Sequence, residues 1–229
     1  YIDRLKRGED IFAVGPAGTG KTYIPARIGA RKLLDQTISK IVIIRIAAAP
    51  NRRHELGFKP GKQDDKLAPW MIPVLDGLRA EVSGATIDKW KNEKKIECAP
   101  FESMRGRTFG GDQGATLLIL DEAQNATLDD LRLVLTRIGE NCQVVVTGDI
   151  EQIDIHNSGL PKVLQMTYVH AIPMAVVHFE PDDVVRSAFT KAWVQAFAAE
   201  SGNEVGNLDG LHRFLHNGGI IAKSPASDR

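Results

Sequence analysis

The sequence predicts a doubly wound α/β fold, a mostly parallel sheet with helices on both faces, and three observations carry that reading. Short branched apolar runs alternate with longer segments of helical period. Several of the runs, among them "KIVIIRI" and "TLLILDE", are apolar throughout instead of alternating, as a strand buried on both faces requires. The first run, "IFAV", leads into "GPAGTGKT" and then a helical pattern, the strand, loop and helix order of a phosphate-binding loop.

In chain order, strands are expected at "DIFAVG", "KIVIIRI", "KKIECAP", "TLLILDE", "CQVVVTGD" and "MAVVHF". Helices are expected from Gly20 to Leu34, over "PWMIPVLDGLRAEV", from Thr127 to Ile138, and over "PDDVVRSAFTKAWVQAFAAE". Pro25 falls early in the first of these, near the tolerated first turn; one turn further in it would cost up to about 3 kcal/mol. Residues 50–66, "PNRRHELGFKPGKQDDK", read as a polar, basic surface excursion. One domain is expected over residues 1–200, followed by a partly ordered tail over 201–229.

Composition sets outer bounds. The 229 residues are 43% hydrophobic and 25% charged, and the 29 basic residues balance the 29 acidic ones, so a nucleic-acid surface has to be a local patch. Cys98 and Cys142 lack metal or redox spacing and read as buried free thiols of a cytoplasmic protein. Neither a membrane span nor a signal peptide is visible, and the opening Tyr1 leaves room for upstream modules. The six histidines show no zinc spacing, and His178, on an apolar strand, reads as a core residue.

Gly15, Pro16, Ala17, Gly18, Thr19, Gly20, Lys21 and Thr22 satisfy GxxxxGK[ST], so they form the expected nucleotide loop. The glycines let backbone N–H groups curl around phosphates at a helix N-terminus. Lys21 is expected on the β- and γ-phosphates and Thr22 on Mg2+. "LLILDEAQN" ends a buried strand in two carboxylates. Asp121 is expected in the Mg2+ shell, while Glu122 orients or deprotonates a water, which favours hydrolysis over transfer to a metabolite. The next strand ends in "VVVTGDIEQID", placing Thr147, Asp149 and Gln152 at the same sheet edge, with Gln152 as a contact for the γ-phosphate.

The order "GPAGTGKT", "MRGRT", "LDEAQNAT", "LTRIG", "VVVTGDIEQID", "VHFEPDDVVRS" resembles the PhoH-like ATPases, relatives of the superfamily 1 helicase core, from about Asp10 to Phe197. The resemblance implies a RecA-like P-loop NTPase fold, ATP bound through Gly15 to Thr22, and Asp121 with Glu122 as the acidic pair. It further implies Gln152 as γ-phosphate sensor and association with RNA or single-stranded nucleic acid. The family pattern is broken in "IRIAAAPNRRHELGFKPGK", where Ile46 replaces a proline and Lys62 an acid.

Phosphoryl transfer of this type needs an arginine against the developing charge. The candidates are Arg45, Arg105, Arg107, Arg137 and Arg186; Arg186, in the family's late arginine motif, is the first choice and Arg137 the second, against the plainer reading of surface or helix-end charges. With one phosphate loop in the chain, the missing wall is expected from another copy in a head-to-tail ring, which the resemblance makes hexameric. Arg45, Arg52, Arg53, Lys59, Arg105 and Arg107 are candidate nucleic-acid contacts, with Phe58, Trp70 and Trp90 as stacking partners, against the plainer reading of solvated loops and core tryptophans. The expected function is a Mg2+-dependent ATPase coupled to RNA or single-stranded DNA. The alternatives are a nucleotide-dependent oligomeric switch or scaffold and, last, a small-metabolite kinase, for which no acceptor site or lid is visible.

Overall fold

All six apolar runs form strands of one sheet. The computed structural model describes residues 1–46, 71–153, 155 and 157–200. A first compact unit spans Tyr1–Arg186 and a second Ser187–Arg229. The first unit runs α1 (Ile2–Arg7), β1 (Ile11–Val14), α2 (Tyr23–Leu34), β2 (Lys40–Arg45), α3 (Ile72–Arg79), α4 (Gly84–Asn92), β3 (Ile96–Pro100), β4 (Thr116–Asp121), α5 (Leu128–Leu135), β5 (Cys142–Gly148), α6 (Leu160–Val169) and β6 (Ala175–His178). The strand order is β3-β2-β4-β5-β1-β6, with every neighbouring pair parallel. The loop-bearing β1 is separated from the acid-bearing β4 by β5 alone, which is the RecA-like P-loop arrangement.

The continuous apolar runs divide between two cores because successive side chains leave opposite faces. Ile11, Ile41, Ile43, Leu117, Ile119 and Val145 meet α1 to α4 on one face. Phe12, Val42, Ile44, Leu118, Leu120, Val144 and Val146 meet α5 and α6 on the other. Burial of these side chains stabilises by about 1.5–3 kcal/mol each. Gly29 lets α2 approach the sheet closely: a Cβ there would lie 2.8 Å from Leu117 Cδ2 and 2.9 Å from Ile41 Cδ1.

Local signals explain several boundaries. Thr127 caps α5 through a capping box, its Oγ1 accepting from the Asp130 N–H at 3.2 Å while Asp130 Oδ2 accepts from the Thr127 N–H at 2.9 Å. The expected helix over 181–200 divides. Pro181–Asp183 is a single 3-10 turn, Val184 is extended, and α7 (Ala188–Glu200) restarts behind Ser187, whose hydroxyl accepts from the Thr190 N–H at 3.2 Å. The α7 helix belongs to the second unit, where Phe189, Trp193 and Phe197 form a ladder with ring centroids 6.4 and 5.6 Å apart. Among the described residues no helix is long and apolar enough to cross a membrane.

The fold changes the expectations for His178 and the cysteines, and for Trp90 it bears out the plainer reading of a core residue. His178 closes β6, the outermost strand, and is exposed rather than in the core, because an edge strand covers only alternate residues. Trp90 is 7% exposed inside the first core, so it is unavailable for stacking on bases. Cys98 and Cys142 form no disulfide and are half-buried instead of fully buried. Burial pushes the Cys142 thiol up to about 12, with the nearby charge of Asp10 contributing second.

Candidate functional site

The site forms where one sheet face runs out of apolar residues. Arg45 follows Ile43, Asp121 follows Ile119, and Thr147 follows Val145 at the two-residue period of a strand, so polar groups continue the face packed against α2. The "GPAGTGKT" loop lies between β1 and α2 on the same edge. The pairing register sets Arg45 directly beside Asp121.

Asp121 Oδ1 accepts hydrogen bonds from Thr22 Oγ1 at 2.8 Å and Thr147 Oγ1 at 2.5 Å. A carboxylate and an alcohol in contact form a hard oxygen donor set, which suits Mg2+. Among the described residues no group of three or more His, Cys, Asp or Glu is placed to hold a metal. The donors therefore fit an ion that takes its remaining ligands from phosphate and water.

Glu122 departs from the strand with φ 59° and ψ 42°, a left-handed conformation that costs a side-chain-bearing residue about 1–3 kcal/mol. Two donors hold its carboxylate: Arg45 Nη2 to Oε1 at 3.1 Å and Gln124 Nε2 to Oε2 at 2.6 Å. Gln124 in turn accepts from the Asp149 N–H at 3.1 Å. Burial first, and the charge of Asp121 second, raise the pKa of Glu122, with Arg45 and Gln124 opposing. The result is a restrained carboxylate with enhanced affinity for a proton.

Lys21 folds into its own loop, donating to the carbonyl oxygens of Gly15 and of Pro16, the latter at 2.6 Å. Burial lowers its pKa, while Asp149, Glu122 and Asp121 act in the opposite direction. Thr19 Oγ1 donates to Pro16 O at 3.0 Å and tightens the same turn.

The early proline now has a physical account. Pro25 lies in the first turn of α2 and has no N–H to give the carbonyl of Lys21 four residues before it. Tyr1 Oη donates to that carbonyl at 2.8 Å, a bond worth about 1 kcal/mol net. Burial, then the charge of Asp121, raises the pKa of the Tyr1 phenol and keeps it a donor. Its ring meets Phe179 edge to face at 5.2 Å, and Phe179 packs over Gly15, where no Cβ would fit.

The other expected residues are distributed unevenly. Arg186 lies on the loop of its own chain: a Cβ on Gly18 would stand 3.0 Å from Arg186 Cγ and 3.3 Å from its Nε. The Val185 N–H, donating to Gly18 O at 3.0 Å, fixes that approach. Arg137 Nη1 donates to Leu133 O at 2.9 Å and caps the end of α5. Arg107 forms a two-pronged pair with Glu97 at 2.6 and 3.0 Å and lies 5.2 Å from the Phe109 ring centroid. Arg105 is exposed, and so is Gln152. Arg52, Arg53 and Lys59, with Phe58, Lys62 and Trp70, lie outside the described residues, as does the 201–229 tail. Gln124 was not anticipated as a site residue; its signal was an amide two residues beyond the second acid.

Comparison with known proteins agrees with the resemblance in motif order. A family profile described as PhoH-like protein matches residues 1–198. Protein PhoH of Escherichia coli (strain K12) is 36% identical over 203 residues, covering 86% of this chain and 55% of that protein. A PhoH-like protein of Mycobacterium leprae (strain TN) is 34% identical over 209 residues, covering 90% and 58%. The chain thus spans a little over half the length of these relatives. Among solved structures, the large terminase of a thermophilic bacteriophage is similar with a TM-score of 0.49 and 12% identity, over 83% of this chain and 45% of that one. The UvsW helicase of bacteriophage T4 follows at 0.45 and 15%, over 77% and 58%. With a matching profile that extends from the first residue through residue 198, the chain belongs to the PhoH-like protein family.

Proposed function

We propose that this chain binds ATP with Mg2+, hydrolyses it, and couples the turnover to RNA or single-stranded DNA. The observation that carries the hydrolytic part is the division between two adjacent acids. Asp121 bonds the loop threonine, whereas Glu122 is held by Arg45 and Gln124.

The chemistry follows from the positions. Backbone N–H groups of the loop and the start of α2 receive the phosphates. Lys21 exchanges the Gly15 and Pro16 carbonyls for phosphate oxygens. Thr22 and Asp121 would hold Mg2+, which would supply positive charge against the phosphates. Glu122 orients a water and takes its proton as the water oxygen bonds to the γ-phosphorus. The bond from that phosphorus to the bridging oxygen breaks, and the oxygen leaves with ADP.

Arg186 beside its own Gly18 supports action within one chain. Mixing Arg186→Ala with wild-type chains should dilute ATPase activity in proportion to the mixture. A steeper loss would mean that the arginine acts across a subunit boundary in the head-to-tail ring.

Coupling to nucleic acid rests on the motif resemblance. Steady-state hydrolysis should rise on adding single-stranded RNA or single-stranded DNA and not on adding duplex. A flat response with ATP still bound would replace coupling by the switch or scaffold reading.

A further inference from the structure

Two acids adjacent in sequence, with Asp149 just past the end of the neighbouring strand β5, concentrate negative charge at the end of the sheet. Lys21 is turned into its loop carbonyls, and among the described residues the cation bonded to both acids is Arg45, a candidate nucleic-acid contact in the sequence. Its place is set by register, because the last residue of β2 pairs with the last residue of β4. The guanidinium spans the pair unequally. Nη2 is 3.1 Å from Glu122 Oε1, while Nη1 is 3.4 Å from Asp121 Oδ2.

The inequality has a cause and a consequence. Asp121 Oδ1 already accepts two hydroxyls, so Oδ2 is the oxygen left for a cation. A divalent ion held by Thr22 and Asp121 would meet the Arg45 charge at that oxygen, and two cations repel in a site where the Asp121 side chain is only 8% exposed. The longer contact is the one that gives way.

We propose that Arg45 is the resting counter-ion of the acidic pair and yields Asp121 to the divalent ion that arrives with nucleotide, while keeping Glu122. This rests on the ATPase reading above and adds a selectivity to it. A free ion has to displace the guanidinium unaided, whereas an ion carried by a triphosphate brings the negative charge that offsets the remaining repulsion. Arg45 then acts as a positioning residue, holding the Glu122 carboxylate during turnover.

The test uses Mn2+ as the probe, with free ion counted by electron paramagnetic resonance in a titration of the nucleotide-free chain. Arg45→Met, which keeps most of the stem and loses the charge, should bind Mn2+ at least about fivefold more tightly than wild type, a shift of about 1 kcal/mol. Arg45→Lys should stay near wild type, and adding Asp121→Asn to Arg45→Met should remove the gain. In steady-state hydrolysis, Arg45→Met should lower kcat with KM for Mg2+–ATP within about twofold, and Arg45→Lys should restore much of kcat. Arg45→Gln replaces the Met variant if the latter does not fold. Equal Mn2+ affinity in Arg45→Met and wild type, with both still binding Mn2+–ATP, would overturn the counter-ion role and leave the ATPase reading intact. If wild type takes up no Mn2+–ATP, both fall together. A change confined to polynucleotide affinity would return Arg45 to the nucleic-acid surface.

Discussion

Lys21→Ala is expected to weaken Mg2+–ATP binding by between about thirtyfold and a few thousandfold. Removing one partner of a buried charge-assisted contact costs about 2–5 kcal/mol, and each 1.4 kcal/mol is a factor of ten. The ammonium is already inside the loop, bonded to the Gly15 and Pro16 carbonyls, and needs only to exchange those acceptors for phosphate oxygens. The substitution also removes a donor from two converging carbonyls, so the loop of the ligand-free variant should loosen. A thermal melt by circular dichroism separates that effect from lost affinity, and calorimetric titration with Mg2+ and a non-hydrolysable ATP analogue reads the affinity itself. Unchanged binding in a folded variant would mean that "GPAGTGKT" is not where the triphosphate sits.

Much of this site is legible in the residues because its parts are local. A phosphate loop needs its glycines, lysine and threonine consecutively, and a strand buried on both faces announces itself as "TLLIL" before the two acids. What escaped the sequence depends on neighbours distant along the chain. Arg45 stands in the sequence as one of several candidate arginines, and its acidic partner appears only when the sheet order sets β2 beside β4 and registers it against Asp121. Tyr1 carries no signal at all; only the fold brings its hydroxyl to the carbonyl that Pro25 leaves without a donor.

The helices missed by pattern reading fail for different physical reasons. The α6 helix opens with Leu160 and Pro161, and proline suggests a loop, although it is accommodated in a first turn. Its later apolar residues, Tyr168 and Val169, are exposed, so the periodicity is blurred. The α4 helix is short, buries only Ile87 and Trp90, and looks from its lysines like a charged loop. Conversely, the long apolar pattern over 181–200 suggested one helix, but the Val185 N–H is bonded to Gly18 O, and extended Val184 breaks the run there. That break brings Arg186 to the phosphate loop.

Glu122→Gln is expected to retain Mg2+–ATP binding and to lower kcat by about 10²–10⁴, the usual worth of a positioned general base. The neutral amide has nearly the shape of the carboxylate and no basic oxygen for the proton of the attacking water. The left-handed turn at Glu122 accepts either residue at similar strain, so the backbone gives no reason for the loop or Asp121 to move. The amide differs in one further respect: Arg45 and Gln124 both donate to the native carboxylate, and an amide presents an oxygen to only one of them. The variant should therefore lose a little stability at this corner while ATP remains bound. Single-turnover hydrolysis with nucleotide retention measured on the same sample separates the two effects. Retained ATP without phosphate release is the expected result; normal release would assign the water to another residue, and loss of binding would mean that Glu122 acts in holding the nucleotide. The distinction matters because burial, with the charge of Asp121 second, raises the pKa of Glu122, while Arg45 and Gln124 keep it oriented. A base that is both strengthened and restrained gains little from its surroundings once its charge is gone, which is why the loss should fall on kcat rather than on affinity.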